Sequence, residues 1–146
     1  MLLTSPIFQN NESIPAKYTC DGENINPPLQ ISGVPQNAQS LALIVDDPDA
    51  PVGTWIHWTL WNIDPKTTQI KENSIPFNAI QGVTSFGRPG YGGPCPPSGT
   101  HRYLFKLFAL DTILNLDSNS GVDDLYSAIQ NHTITKTELM GKYSKI

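Results

Sequence analysis

The chain has 146 residues, of which 38% are hydrophobic and only 15% are charged; this length is typical of one domain, and the composition argues against disorder. Nine basic and thirteen acidic residues give a net charge of −4 and are dispersed, so nucleic acid and anionic membranes are poor candidates for the main partner. Thirteen prolines and eleven glycines predict a structure rich in turns.

The N-terminal segment "MLLTSPIFQN" lacks the basic region and the long apolar run of a signal peptide, and no later segment has transmembrane length. These features predict a cytoplasmic protein without integral membrane association. Cys20 and Cys95 are too few for a disulfide framework or a zinc site. In a reducing compartment we expect both as free thiols.

Short apolar runs separated by Pro, Gly, Asn and Asp predict one all-β domain over residues 1–146 with minor α content. The first clear strand is the continuous apolar run 40–46, and the second is 54–63, in which aromatic and β-branched residues occupy both faces. The third is 102–110, with alternating apolar positions. Weaker strand candidates are residues 2–8, 14–19, 28–32, 80–85 and 134–144.

One helix is predicted near the C-terminus, over the segment "SGVDDLYSAIQNH" (120–132). Val122, Leu125 and Ile129 recur at helical spacing, so one face can pack inward. Ser120 is the expected N-cap, and the two aspartates that follow would lie in the first turn, where the helix dipole favours negative charge.

Polar side chains stand where the three clear strands meet loops rich in Pro and Gly. Asp47 ends the first strand, His57 lies near the start of the second, and His101 precedes the third. If the first two strands pair as a hairpin, Asp47 and His57 flank the same turn. Tyr103 shares a strand face with His101 by the two-residue period. In a sandwich these strand ends can gather at one pole.

Such a cluster has the chemistry of an anion site. A carboxylate beside an imidazole fixes its tautomer and favours its protonated form, so the histidines can present N–H donors. Gly92, Gly93 and Gly99 can add backbone amides because glycine lets the main chain approach a ligand closely. The neighbouring prolines stiffen that backbone, which limits the entropy lost on binding.

Structural roles compete with these functional ones. By strand alternation His57 shares a face with Trp55, Thr59 and Trp61, so we expect it to be partly buried. A buried histidine is more often a hydrogen-bonded core residue than a ligand contact. Cys95, between two prolines, is a candidate reactive thiol, but no base adjoins it in the sequence.

Several segments together resemble one known family. "DPDAP" (47–51), "WIHW" (55–58) and "YGGPCPPSGTHRY" (91–103) are similar to the two signature blocks of the phosphatidylethanolamine-binding proteins. "KYTCDGENINPPL" (17–29) and "ELMGKYSK" (138–145) resemble the bacterial and archaeal branch, often called Raf-kinase-inhibitor-like. The matching blocks occur in the family's order along most of the chain.

The resemblance implies a Greek-key antiparallel β-sandwich with one or two short helices and a small pocket at one end. In relatives that pocket takes a small anion such as phosphate, or a phosphorylated headgroup. The implied partner state is a homodimer, and no cofactor or metal is implied. The implied ligand-binding residues are Asp47, His57, His101 and Tyr103 with the backbone of Gly93, Pro94 and Cys95.

Three functions follow as hypotheses. The favoured one is a non-enzymatic module that binds a small anion or phospho-headgroup and has a regulatory role. The second is an inhibitor of a serine protease or a kinase, with residues 71–80 as a candidate loop because they lack periodicity. The third is an enzyme that uses Asp47, His57 and His101 as metal ligands, or a triad of Ser98, His101 and Asp47.

Overall fold

The computed structural model describes residues 1–146 and confirms the predicted antiparallel β-sandwich with minor α content. The α-helix α1 spans Val122–Ile129, and a short 3₁₀ turn spans Ala16–Tyr18. The strands are β1 (Leu2–Thr4), β2 (Glu12–Ser13), β3 (Leu29–Ser32), β4 (Ser40–Asp47), β5 (Trp55–Ile63), β6 (Gln69–Ile70), β7 (Ile80–Gln81), β8 (Thr100–Leu110) and β9 (Thr133–Ser144).

The strands form two sheets. The larger sheet has the order β2-β9-β8-β4-β5-β7, and the smaller one has the order β1-β3-β6. All pairs are antiparallel except β2 with β9, which run parallel. The three clear strands of the sequence are therefore neighbours, with β4 hydrogen-bonded to β5 on one side and to β8 on the other.

Strand β4 is buried along its whole length because it is covered on both faces. Leu41, Leu43 and Val45 belong to a cluster of 20 buried residues that fills the space between the two sheets. Ala42 and Ile44 point to the other face, into a smaller cluster that α1 covers. This explains the continuous apolar run, since neither face of the strand meets water.

Helix α1 has the predicted inward face, with Leu125 and Ile129 buried against the large sheet. Its N-cap is Gly121, not the predicted Ser120. The Gly121 N–H donates to the Asp124 carboxylate at 3.3 Å, so an acidic side chain in the first turn satisfies the helix start. With eight residues, α1 is the longest helix, and the structure has no helix suited in length and hydropathy to crossing a bilayer.

The weaker strand predictions meet mixed outcomes. The segment 14–19 is not a strand: Ala16–Tyr18 form the 3₁₀ turn, whose end is held by the Thr19 hydroxyl donating to the Ala16 carbonyl at 2.9 Å. The segments 2–8 and 80–85 contain strands of only three and two residues. By contrast, 134–144 belongs to β9, the longest strand, because β8 pairs with it along its full length.

The prediction of free thiols is wrong: Cys20 and Cys95 form a disulfide. They are 75 residues apart, but the turn after the 3₁₀ segment folds against the loop before β8. The Cys20 N–H donates to the Pro94 carbonyl at 3.1 Å, so the two segments are also hydrogen-bonded beside the disulfide. The predicted cytoplasmic location stays a prediction.

Candidate functional site

A cavity of about 240 Å³ opens at one pole of the sandwich, where β4 ends and β5 and β8 begin. A larger cleft of about 510 Å³ beside Lys66 and Phe77 holds no histidine, whereas the smaller cavity holds two. The residues that line it are Asp47, Ala50, Pro51, Val52, Trp55, His57, Phe86, Cys95, Pro96, Pro97, His101 and Tyr103.

His101 and Asp47 form the best-defined contact of the cavity. The distance from His101 Nδ1 to Asp47 Oδ2 is 2.6 Å, and both side chains are buried. The other Asp47 oxygen accepts the Asp49 N–H at 2.7 Å, which fixes the carboxylate. Because a carboxylate only accepts, His101 Nδ1 carries the proton of this bond and Nε2 is left for a ligand.

The position of His57 depends on a β-bulge. Along β4, consecutive residues Val45 and Asp46 pair with Trp58 and Ile56, so His57 is the extra residue of β5. The sequence predicted that His57 shares a face with Thr59, but this is wrong for a physical reason. The bulge interrupts the alternation and brings the imidazole against Tyr103, with ring centroids 5.2 Å apart.

The hydrogen bond of His57 defines its tautomer. His57 Nδ1 lies 2.6 Å from the Gly92 carbonyl oxygen, which can only accept, so Nδ1 carries a proton. Burial lowers the pKa of His57 from its usual 6.5, although the Gly92 carbonyl and the charge of Asp47 oppose this. The ring is therefore neutral near pH 7, and its Nε2 is an acceptor until it takes a second proton.

Tyr103 lines the cavity and carries a buried hydroxyl. Its side chain is 1% exposed, and the hydroxyl has no hydrogen-bond partner within the protein. Burial, with the negative charges of Asp47 and Asp49, raises the pKa of Tyr103, so the group stays a neutral donor. Unpaired buried polar groups are rare in folded proteins, which makes this hydroxyl a notable feature of the cavity.

The backbone wall predicted from residues 93–95 is only partly at the cavity. Cys95 lines it, together with Pro96 and Pro97, which the sequence reasoning did not name. Gly93 does not line it, and its N–H donates to Asn24 Oδ1 at 2.8 Å. Pro94 does not line it either, and its carbonyl binds Cys20.

The predicted amide donors are also largely engaged. The Gly92 N–H donates to the His57 carbonyl at 3.0 Å, and the Gly93 N–H donates to Asn24. Gly99 adopts a φ of 69°, which favours glycine, but it does not line the cavity. Side chains therefore dominate the polar surface of the cavity, and the glycines serve mainly to let segments approach one another.

Sequence reasoning missed the ion pair that holds the loop 48–53 beside the cavity. Arg102 donates through Nε and one terminal nitrogen to the two oxygens of Asp49, at 2.9 and 2.8 Å. The Arg102 backbone N–H adds a third bond at 2.9 Å. These bonds lower the pKa of Asp49 to about 2. The second aspartate of "DPDAP" and the arginine of "HRY" were the available signal.

The mouth of the cavity has an apolar rim that was also missed. Val52 is 83% exposed and Phe86 is 39% exposed. Phe86 packs edge-on against both Trp55 and His57, with centroid distances of 5.6 and 5.4 Å. The site thus combines two imidazoles, one carboxylate and one hydroxyl inside an aromatic collar.

Solved structures with the same architecture cover nearly the whole chain. CT736 from Chlamydia trachomatis, described as a homologue of the phosphatidylethanolamine-binding protein, has a TM-score of 0.95 at 43% identity, over 99% of this chain and 97% of that one. YbcL from Escherichia coli, described as a member of the mammalian family, has a TM-score of 0.92 at 34% identity, over 99% and 98%.

Sequence comparisons agree. A UPF0098 protein from Methanothermobacter thermautotrophicus is 47% identical over 99% of both chains. The UPF0098 protein PH1269 from Pyrococcus horikoshii is 50% identical over 99% of this chain and 77% of its own length. The family model described as phosphatidylethanolamine-binding protein matches residues 4–144. The resemblance inferred from the motifs is confirmed: the chain belongs to the phosphatidylethanolamine-binding protein family.

Proposed function

We propose that the protein binds a small anion, such as phosphate or a phosphorylated headgroup, in the cavity and that it does so without catalysis. The observation that supports this most is the arrangement of His101. Its Nδ1 is hydrogen-bonded to the buried Asp47 at 2.6 Å, which fixes the orientation of the ring. Both residues line the cavity, so the position of His101 Nε2 is set before a ligand binds. Preorganised side chains of this kind reduce the cost of binding.

Binding is coupled to proton uptake at His57. In the free protein the ring is neutral because burial lowers its pKa, and its one proton lies on Nδ1, which donates to the Gly92 carbonyl. An anion beside Nε2 favours the protonated ring, which then donates a charge-assisted hydrogen bond. The Tyr103 hydroxyl, unpaired within the protein, is a further donor. His57 Nε2 and the Tyr103 hydroxyl then donate to the negative guest, and His101 Nε2 does so when its ring carries both protons.

The test is calorimetric titration of the protein with inorganic phosphate between pH 5.5 and 8.5. We expect the affinity to fall as the pH rises through the histidine range, on the order of tenfold per pH unit where one proton is taken up. His57→Ala with His101→Ala should abolish binding, and His132→Ala is the matched control because His132 is exposed and far from the cavity. A flat pH profile, or binding that survives the double substitution, would contradict the proposal.

The enzymatic alternatives receive less support from the geometry. No group of three His, Cys, Asp or Glu side chains is arranged to hold a metal ion, and one oxygen of Asp47 is already bound by His101. Ser98 is exposed in the loop and does not line the cavity, so a triad with His101 is not assembled.

An inhibitory function has one supporting observation. Within residues 71–80 the side chain of Phe77 is 88% exposed, and it extends from a segment without regular structure until β7 begins. An aromatic side chain presented in this way is a candidate anchor for a protease or kinase surface. A panel of serine proteases assayed with the wild type and with Phe77→Ser tests it: inhibition that the substitution removes supports this function, and no inhibition rejects it.

A further inference from the structure

The disulfide between Cys20 and Cys95 lies at the mouth of the cavity. Cys95 is one of the lining residues and is exposed, whereas Cys20 is half-buried. A disulfide in the wall of a ligand cavity and open to water is accessible to small thiols, and accessible disulfides are the labile ones.

The disulfide is also the main attachment of the outer part of that wall. The inner part is hydrogen-bonded: Gly92 to the His57 carbonyl, Gly93 to Asn24, and the Pro94 carbonyl to Cys20. From residue 95 to residue 98 the chain makes no hydrogen bond, and two of these four residues are prolines, which have no N–H. Pro96 is buried and packs against the protein, but the sulfur–sulfur bond is the one polar or covalent anchor of this stretch.

We propose that the Cys20–Cys95 disulfide is a thiol-exchange site, at which a small thiol such as glutathione opens the bond and frees the outer pocket wall, residues 95–98. Its effect on anion affinity rests on the proposed function; the exchange itself does not. The site responds to the thiol content of the solution around the protein.

The exchange proceeds in two balanced steps. A glutathione thiolate attacks the sulfur of Cys95, the more exposed of the two residues. The protein disulfide breaks, a mixed disulfide forms, and the Cys20 sulfur leaves as a thiolate that takes a proton from water. A second glutathione thiolate then attacks the glutathione sulfur of the mixed disulfide. The products are oxidised glutathione and a Cys95 thiol, so two glutathione molecules supply the two electrons.

Opening the bond loosens the wall and leaves the sandwich folded. The disulfide lies outside both buried clusters, and the contacts of Gly92, Gly93 and Pro94 do not involve sulfur. Residues 95–98 then sample more conformations, and the ligand must order them again on binding. We expect phosphate affinity to fall on the order of tenfold, the usual effect of losing preorganisation in a short segment.

The experiment uses the oxidised, full-length protein in millimolar reduced glutathione, followed by alkylation and mass spectrometry. We expect loss of the disulfide while the far-ultraviolet circular dichroism stays native, and a transient glutathione adduct on Cys95 in preference to Cys20. Hydrogen exchange should become faster at the Cys20 N–H, which donates to Pro94 beside the freed residues, but not in β4. The variant Cys20→Ser with Cys95→Ser is the control. Its hydrogen exchange should match that of the reduced protein and should not change when glutathione is added.

The outcomes separate the two proposals. A disulfide that resists glutathione until the protein unfolds overturns the inference. Reduction that leaves both the hydrogen exchange of the residue 20 amide and the phosphate affinity unchanged overturns it as well. If phosphate binds neither the oxidised nor the reduced protein, the proposed function fails, and the mass and hydrogen-exchange data still decide whether the disulfide is an exchange site.

Discussion

The molecule contains two histidine–aspartate pairs that differ in surroundings and hardly at all in geometry. His101 Nδ1 lies 2.6 Å from Asp47, and His132 Nδ1 lies 2.7 Å from Asp111. The side chains of the first pair are 10% and 5% exposed, and those of the second are 47% and 53% exposed. Only the first pair lines a cavity, together with a second histidine.

The comparison shows that the contact alone does not make a site. Water screens an exposed pair, so it holds neither partner firmly and contributes little stability. In the buried pair the carboxylate is largely shielded from solvent and also accepts the Asp49 N–H, so it orients the imidazole. Burial and convergence with His57 and Tyr103 are what turn the same two residue types into a candidate anion site.

Removing the carboxylate from each pair should give the largest difference. Asp47→Ala leaves His101 and the Asp49 N–H without their buried partner and should lower the free energy of unfolding by about 3 kcal/mol. Asp111→Ala should lower it by less than about 1 kcal/mol because that pair is exposed. Urea denaturation of both variants measures this, and equal losses would remove the distinction between the pairs.

The pH dependence of stability isolates His57. Because burial lowers its pKa below 6.5, the unfolded chain takes up this proton first as the pH falls. The contribution of His57 to the free energy of unfolding is therefore fully present above about pH 7.5. Below pH 6.5 this contribution declines, with a slope of up to about 1.4 kcal/mol per pH unit.

The check is the difference in unfolding free energy between wild type and His57→Gln across that range. It should rise with pH and level off above neutrality, whereas His132→Gln should leave the dependence of the wild type in place. A difference that is constant with pH would mean that the ring is not held neutral.

Tyr103→Phe should separate binding from stability. The hydroxyl has no partner in the protein, so its removal should change the free energy of unfolding by less than about 1 kcal/mol. If it donates to the bound anion, phosphate affinity should fall about fivefold, as for one neutral hydrogen bond. Calorimetry with Tyr143→Phe, whose hydroxyl binds Asp21 at 2.5 Å outside the cavity, gives the matched comparison.

The smallest effect is expected at the loop beside the cavity. Arg102→Ala removes an exposed ion pair with Asp49 and should lower stability by less than about 1 kcal/mol. The pKa of Asp49 is about 2, so its stabilisation is present above pH 3.8 and is lost as the pH falls towards 2. In acid denaturation, the free energies of unfolding of wild type and Arg102→Ala should therefore become equal as the pH approaches 2. A variant that stays less stable than wild type at that pH would contradict this.

The sequence predicted the framework well because its signals were local. β4 and β5 carry apolar or aromatic residues on both faces, and α1 has a clear helical period. The strand prediction for residues 14–19 was wrong because a proline and a threonine hydroxyl favour a 3₁₀ turn over an extended strand. The length of β9 was not visible in its polar sequence, since pairing with β8 determines it.

The sequence predicted which residues belong to the site but not how they contact one another. Asp47, His57, His101 and Tyr103 line one cavity, as the strand ends suggested. The bulge at His57 depends on a register shift between two strands, and the disulfide depends on two loops meeting across 75 residues. Neither leaves a local pattern, so the face of His57 and the state of the cysteines were predicted wrongly.

The central claim is that an anion in the cavity drives a proton onto His57. Nuclear magnetic resonance of the histidine ring protons, followed across pH with and without saturating inorganic phosphate, measures this most directly. The account predicts that the pKa of His57 lies below 6.5 in the free protein and rises when phosphate binds, while the ring signals of His132 are the same in both samples. A His57 titration that phosphate leaves unchanged would contradict it.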